Sequence, residues 1–101
     1  MNTAGVVTNE DVRLEIAKKC DQIKALLLEK NQKYGNSALS PVRIMSRASV
    51  DEQLRVRIDD KLSRIVRGGE EMTQDEDVVL DLVGYLVLLL VDRELRLRSN
   101  L

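Results

Sequence analysis

Between Val78 and Val91 the chain places eleven Val and Leu side chains (Val78, Val79, Leu80, Leu82, Val83, Leu86, Val87, Leu88, Leu89, Leu90 and Val91), with Asp81 the single charge among them. Wound at about 100° per residue, these side chains cover every side of an α-helix, and a helix that is apolar all round must be covered all round. A membrane span takes about 20 apolar residues, so this run is too short to cross one and has to be covered by protein. A chain of 101 residues makes one domain at most, and its other segments are too few to enclose such a helix completely. Self-association is the simplest cover. The expected fold is therefore all-α, a single α-helical domain over residues 1–101: a small helical bundle of two long amphipathic helices, one short helix and one very hydrophobic C-terminal helix, completed by homo-oligomerisation.

Capping signals divide the chain. Thr8 with Asp11 is a variant capping box, and Val12, Ile16, Cys20, Ile23 and Leu27 recur every three or four residues after it, up to Gly35 as C-cap. The first helix is expected over residues 9–33. Ser40-Pro41 signals a second, short helix to about Arg47, because proline at a first helical position gives up no intrahelical bond. Ser49 with Glu52 is a full capping box, and Leu54, Ile58, Leu62 and Ile65 mark a third helix that ends at Gly68-Gly69. Thr73 with Glu76 opens the fourth, to about Arg98. Helices of about 25 residues exceed what a compact monomer of this size needs, which again favours an oligomer.

The inventory removes whole chemistries. There is no His, Trp or Phe, and there are only two Tyr and one Cys. Without His there is no Ser-His-Asp triad and no imidazole base; the lone Cys20 permits no internal disulfide and fits a reducing compartment. Almost nothing is left to stack on bases, so sequence-specific nucleic-acid recognition is not expected. Residues Met1 to Thr8 lack the basic and apolar regions of a secretory signal, and the expected location is the cytoplasm.

Charge is partitioned along the chain. Residues 24–67 hold ten bases against five acids, a net of +5, while residues 68–82 hold six acids and no base, a net of −6. The basic middle can attract phosphates, or it can face the acidic stretch within or between subunits. Helical projection puts Lys30 and Tyr34 on the apolar stripe of the first helix, where they either meet an anionic ligand or snorkel outward at the helix end. The loop from Gly35 to Arg43, with Ser37, Ser40, Arg43 and Arg47, joins a helix start to two guanidiniums, a generic anion site. On the third helix Arg57, Lys61 and Arg64 form a ridge beside the apolar face. Asp81, inside the apolar run, needs a partner, and Lys61 or Arg57 is the obvious one. Alternatively Asp77 and Asp81, four residues apart, join Asp60 or Asp59 to hold Mg²⁺ with ligand phosphates.

Four blocks in order carry a resemblance: Glu29-Lys30-Asn31-Gln32-Lys33-Tyr34-Gly35-Asn36-Ser37; Pro41-Val42-Arg43-Ile44; Arg57-Ile58-Asp59-Asp60-Lys61-Leu62-Ser63-Arg64-Ile65; and Asp77 followed by Asp81-Leu82-Val83-Gly84-Tyr85-Leu86. Over about residues 28–90 the chain resembles the nucleotide modification associated domain 1 family, found largely in bacteriophages. The resemblance implies a small, phage-type, all-α protein concerned with nucleotides and carries no catalytic residue over. More loosely the chain is similar to the all-α nucleoside triphosphate pyrophosphatases of the MazG type, oligomeric bundles that hold Mg²⁺ on acidic helix motifs. Here the acidic pair, Asp77 and Asp81, is spaced by four rather than three, and the middle helix offers Arg57, Asp60, Lys61 and Arg64 in place of a second Glu pair. That departure favours direct phosphate binding over metal-mediated cleavage. Small phage proteins that sequester nucleotide second messengers of host defence are a functional analogy.

Three functions are therefore expected in turn. The first is a small-nucleotide-binding homo-oligomer that draws its phosphate ligands from Lys30, Lys33, Tyr34, Ser37, Ser40, Arg43, Arg47, Arg57, Lys61 and Arg64. The second is a Mg²⁺-dependent pyrophosphohydrolase or nucleotide-modification accessory enzyme using Asp60, Asp77 and Asp81. The third is a structural or protein-interaction helical module whose charges pair with one another.

Overall fold

The structure, a computed structural model, describes residues 5–73 and 75–99, apart from the side chains of Met72 and Thr73. It is helical, with no strand among the described residues. The elements are α1 (Asn9–Tyr34), α2 (Val50–Gly68), the single turn α3 (Glu70–Thr73) and α4 (Glu76–Ser99). They fall into two compact units, residues 1–33 and 34–101.

In the first unit α1 starts at the expected box. The Asp11 amide donates to Thr8 Oγ1 at 3.1 Å, and the Thr8 amide donates to Asp11 Oδ2 at 3.0 Å. Two of the helix's orphan donors are thereby satisfied. Glu10 and Asp11 in the first turn and Lys33 in the last suit the helix dipole. None of α1's residues is buried, so its stripe of Val12, Ile16, Cys20, Ile23 and Leu27 is at best half-covered.

In the second unit, α2 and α4 run antiparallel, since Asp51 early in α2 meets Arg96 late in α4 and Lys61 late in α2 meets Asp81 early in α4. Ser49 caps α2 by accepting the Glu52 amide at 3.1 Å. The core of the pair is Leu54, Ile58 and Val78, of which Leu54 is 1% exposed. Gly84 is buried on α4 as well. Gly69 closes α2 with φ +64° and ψ −144°, its amide donating to the Ile65 carbonyl at 3.1 Å.

Two helix starts differ from expectation. No helix forms over residues 41–47; the segment is irregular. Seven residues close too few i to i−4 bonds to offset nucleation unless packing helps, and here Val42, Ile44 and Met45 lie 84–92% exposed. Side chains compete instead: Ser46 Oγ accepts the Ala48 amide, and Arg43 donates to the Ala48 carbonyl. Ser40 is consequently no N-cap; its amide donates to the Asn36 carbonyl in the turn after α1. The second difference is at α4, which is capped by Asp75. Its Oδ1 accepts the amides of Asp77 at 3.0 Å and Val78 at 3.4 Å. Thr73 ends α3, and its hydroxyl lies outside the described side chains.

Gly69 generates a test. A Cβ there meets nothing within 4 Å, yet the backbone stands in a region that L side chains rarely adopt. Gly69→Ala is expected to destabilise the α2–α4 unit by about 1–3 kcal/mol through backbone strain alone, measured by urea denaturation followed by circular dichroism.

Candidate functional site

Lys61 finds Asp81. Its Nζ lies 3.0 Å from Asp81 Oδ2, with the lysine side chain 14% and the aspartate 33% exposed. One turn away on each helix, the Arg57 guanidinium sits 5.9 Å from the centre of the Tyr85 ring, a cation–π contact. Residues 57 and 61 on α2 thus form two rungs with 85 and 81 on α4, which fixes the register of the antiparallel pair. The carboxylate inside the apolar run is neutralised where it is half-desolvated, as its burial demands.

A second polar cluster joins the other end. Arg55 Nε donates to Asp51 Oδ1 at 2.6 Å, and Arg96 Nη2 donates to Asp51 Oδ2 at 3.4 Å. Arg96 also lies 2.9 Å from Asp92 Oδ2. Asp92 is 7% exposed, and this oxygen has no aligned hydrogen bond, so the contact is coulombic. The Arg55 hydrogen bond is the main reason that Asp51 titrates below the usual aspartate range; partial burial opposes it, and the charges of Arg55 and Arg96 add to it. The same bond, with the charge of Asp51, raises Arg55. Asp92 was not singled out from the sequence. Its signal was spacing: positions 81, 85, 88 and 92 lie on one face of α4, so a second carboxylate eleven residues after Asp81 returns to the α2 side.

A shallow cleft of about 380 Å³ lies where α2 ends and α4 begins, lined by Ser63, Arg64, Arg67, Gly68, Asp75 and Val78. Among the described residues Arg64 and Arg67 enter no ion pair. The amides of the α4 N-terminus are not available to a ligand here, because Asp75 already occupies them. What the cleft offers an anion is two guanidiniums and the Ser63 hydroxyl. Arg67 and Ser63 stood outside the expected ligand set. The signal that could have found them is that 64 and 67 are three apart, on one face, at the end of a helix.

The remaining expected ligands are spread over several elements. Lys30, Lys33 and Tyr34 are exposed on the last turns of α1. Ser37, Ser40 and Arg47 are exposed in the loop before α2, and Arg43 is engaged with the Ala48 carbonyl. Without a helix at 41–47, that loop presents no helix N-terminus to an anion. Asp60 is exposed on α2 and Asp77 on the first turn of α4. Among the described residues no group of three or more acidic or sulfur side chains is placed to hold a metal ion, so Asp60, Asp77 and Asp81 do not form one. No described helix is long and apolar enough to cross a membrane. Comparison with known proteins finds no matching family model, no matching curated protein and no matching solved structure, so this site is read from its own residues.

Two measurements check these clusters. Lys61→Ala is expected to cost about 1–3 kcal/mol of unfolding free energy by leaving Asp81 half-buried without its cation, and the Asp81→Asn background should remove most of that loss. Because the Asp51 pKa is lower in the folded chain, its contribution is complete above the ordinary aspartate value of 3.8 and fades as pH falls through the folded value. The melting temperature of the wild type should therefore drop more on acidification below about pH 4 than that of Asp51→Asn.

Proposed function

We propose that this chain is a homo-oligomeric, phage-type binder of a small phosphorylated nucleotide or nucleotide second messenger, which it holds without turning it over. The observation that carries the reading is the cleft lined by Ser63 together with Arg64 and Arg67, which are unpaired among the described residues. Guanidinium groups match phosphate oxygens bidentately and remain charged at any physiological pH, so two of them beside an open cleft suit a phosphate monoester or diester. The net +5 of residues 24–67 supplies the long-range field that draws such an anion in. The likeness to the nucleotide modification associated domain 1 family, whose third block includes Ser63 and Arg64, supports a nucleotide over another anion.

Binding is favoured over Mg²⁺-dependent hydrolysis because Asp81 is held by Lys61 and the cleft is lined by guanidiniums with a single carboxylate, Asp75, that is committed to capping α4. Lys30, Lys33, Arg43 and Arg47 remain the pool from which oligomer-dependent contacts to the ligand would come. Sequestration to counter host defence is the biological role consistent with binding alone.

The test is incubation with a panel of nucleoside triphosphates and cyclic dinucleotides, with and without Mg²⁺, following melting temperature and product formation together. A rise in melting temperature without product is expected. Arg64→Ala and Arg67→Ala should each weaken binding by about tenfold or more, the value of one charge-assisted hydrogen bond of about 1.5–3 kcal/mol. Mg²⁺-dependent release of pyrophosphate would replace the binding reading with the hydrolase, and no response to any nucleotide would leave an interaction module.

A further inference from the structure

We propose that the outward face of α4 is the docking surface for a second copy of this chain, whose own α4 lies across it in the antiparallel sense. The proposal rests on the homo-oligomeric part of the function proposed above and is independent of the ligand.

The face is defined by the one already occupied. Val78, Asp81, Tyr85, Leu88 and Asp92 turn towards α2, as the Lys61 and Arg57 contacts and the burial of Val78 and Asp92 require. At about 100° per residue, Val79, Val83, Leu86, Leu90 and Leu97 project on the opposite side. Their spacing of four, three, four and seven residues is the seam of a helix pair. Val79, Leu86, Leu90 and Leu97 are exposed, Leu90 to 66%. The seam spans about five turns, roughly 27 Å, which is long for scattered surface leucines and fits a partner helix. The all-round apolar run of α4 thereby gains a second covered side.

Charge selects the direction. The one break in the seam is Arg93, between Leu90 and Leu97, while the helix opens on Asp75, Glu76 and Asp77. In a parallel pair Arg93 would face its own copy across an apolar interface, and the acidic turns would lie side by side. In an antiparallel pair that sets Val83 against Leu86 of the second copy, position 93 of each chain meets the other's first turn, where Asp75 and Glu76 lie. The two helix dipoles also oppose favourably in that arrangement. Symmetry then makes the contact twice, as an isologous dimer requires.

Sedimentation equilibrium at micromolar concentration tests this. The full chain should sediment as two copies, Leu90→Asp as one, and Arg93→Glu with a dissociation constant raised at least about tenfold. Glu76→Lys added to Arg93→Glu should recover much of that loss. Circular dichroism of Leu90→Asp should keep the wild-type helix content, because Leu90 is an exposed residue of α4 and no part of the α2–α4 core. A dimer indifferent to Leu90→Asp overturns this face while leaving the homo-oligomeric reading intact. Indifference to Arg93→Glu overturns the antiparallel arrangement. A wild-type monomer overturns both this face and the oligomer, and a monomer whose melting temperature still falls with Leu90→Asp identifies α1 of the same chain as the occupant instead.

Discussion

The ion pair between Lys61 and Asp81 sets the geometry on which the rest of the second unit depends. A carboxylate among eleven Val and Leu would turn the helix so as to reach water, unless a cation met it. Lys61 meets it from α2, and one contact thereby fixes both the rotation of α4 and its register along α2. Leu54, Ile58 and Val78 then close a core from the only sides left to them, and Arg57 falls over Tyr85 one turn on. Asp51, Arg96 and Asp92 repeat the device at the far end. With three buried apolar side chains among the described residues, packing alone supplies little specificity. Polar contacts at both ends are what restrict such a helix pair to a single register.

How much of this was legible depends on the range of the interaction. The boxes at Thr8–Asp11 and Ser49–Glu52 are local, three residues wide, and they form where the residues place them. The need of Asp81 for a cation, Lys61 or Arg57, was legible for a different reason, since a charge in an apolar run has few stable states; the structure supplies Lys61. The short helix at 41–47 was misread because Ser40-Pro41 is a permissive signal: it removes an obstacle to starting a helix and provides nothing to sustain one. With no burial for Val42, Ile44 and Met45, the segment folds onto α2 through the Ala48 carbonyl, which accepts from Arg43 and also from Gln53. Asp75 caps α4 by one such local contact, and a carboxylate at a helix N-terminus also gains from the dipole.

The candidate site was less legible than the fold. Summed charge pointed to residues 24–67 as a whole, whereas an anion responds to which guanidiniums remain unneutralised. On α2, Arg55 is spent on Asp51 and Lys61 on Asp81, while Arg57 keeps its charge but is turned onto the Tyr85 ring. These pairings are tertiary or depend on rotamers, so no count along the chain anticipates them. Within α2 this leaves Arg64 and Arg67 on its last turns, beside the cleft. The acidic stretch that follows them does not cancel them, because its nearest carboxylate, Asp75, is turned into the amides of α4.

That last arrangement links the apolar and the charged halves of the chain. An antiparallel α4 pair would bring Arg93 of one copy to the acidic first turn of the other, beside the cleft that holds Arg64 and Arg67. Asp75 and Glu76 would then be engaged by a cation from across the interface, and the local field at the cleft would become more positive on dimerisation. Assembly and anion affinity would be coupled through one short acidic turn, each strengthening the other by the same factor, as linkage requires. A chain whose total charge is near zero can in this way present a more strongly cationic site in its assembled form.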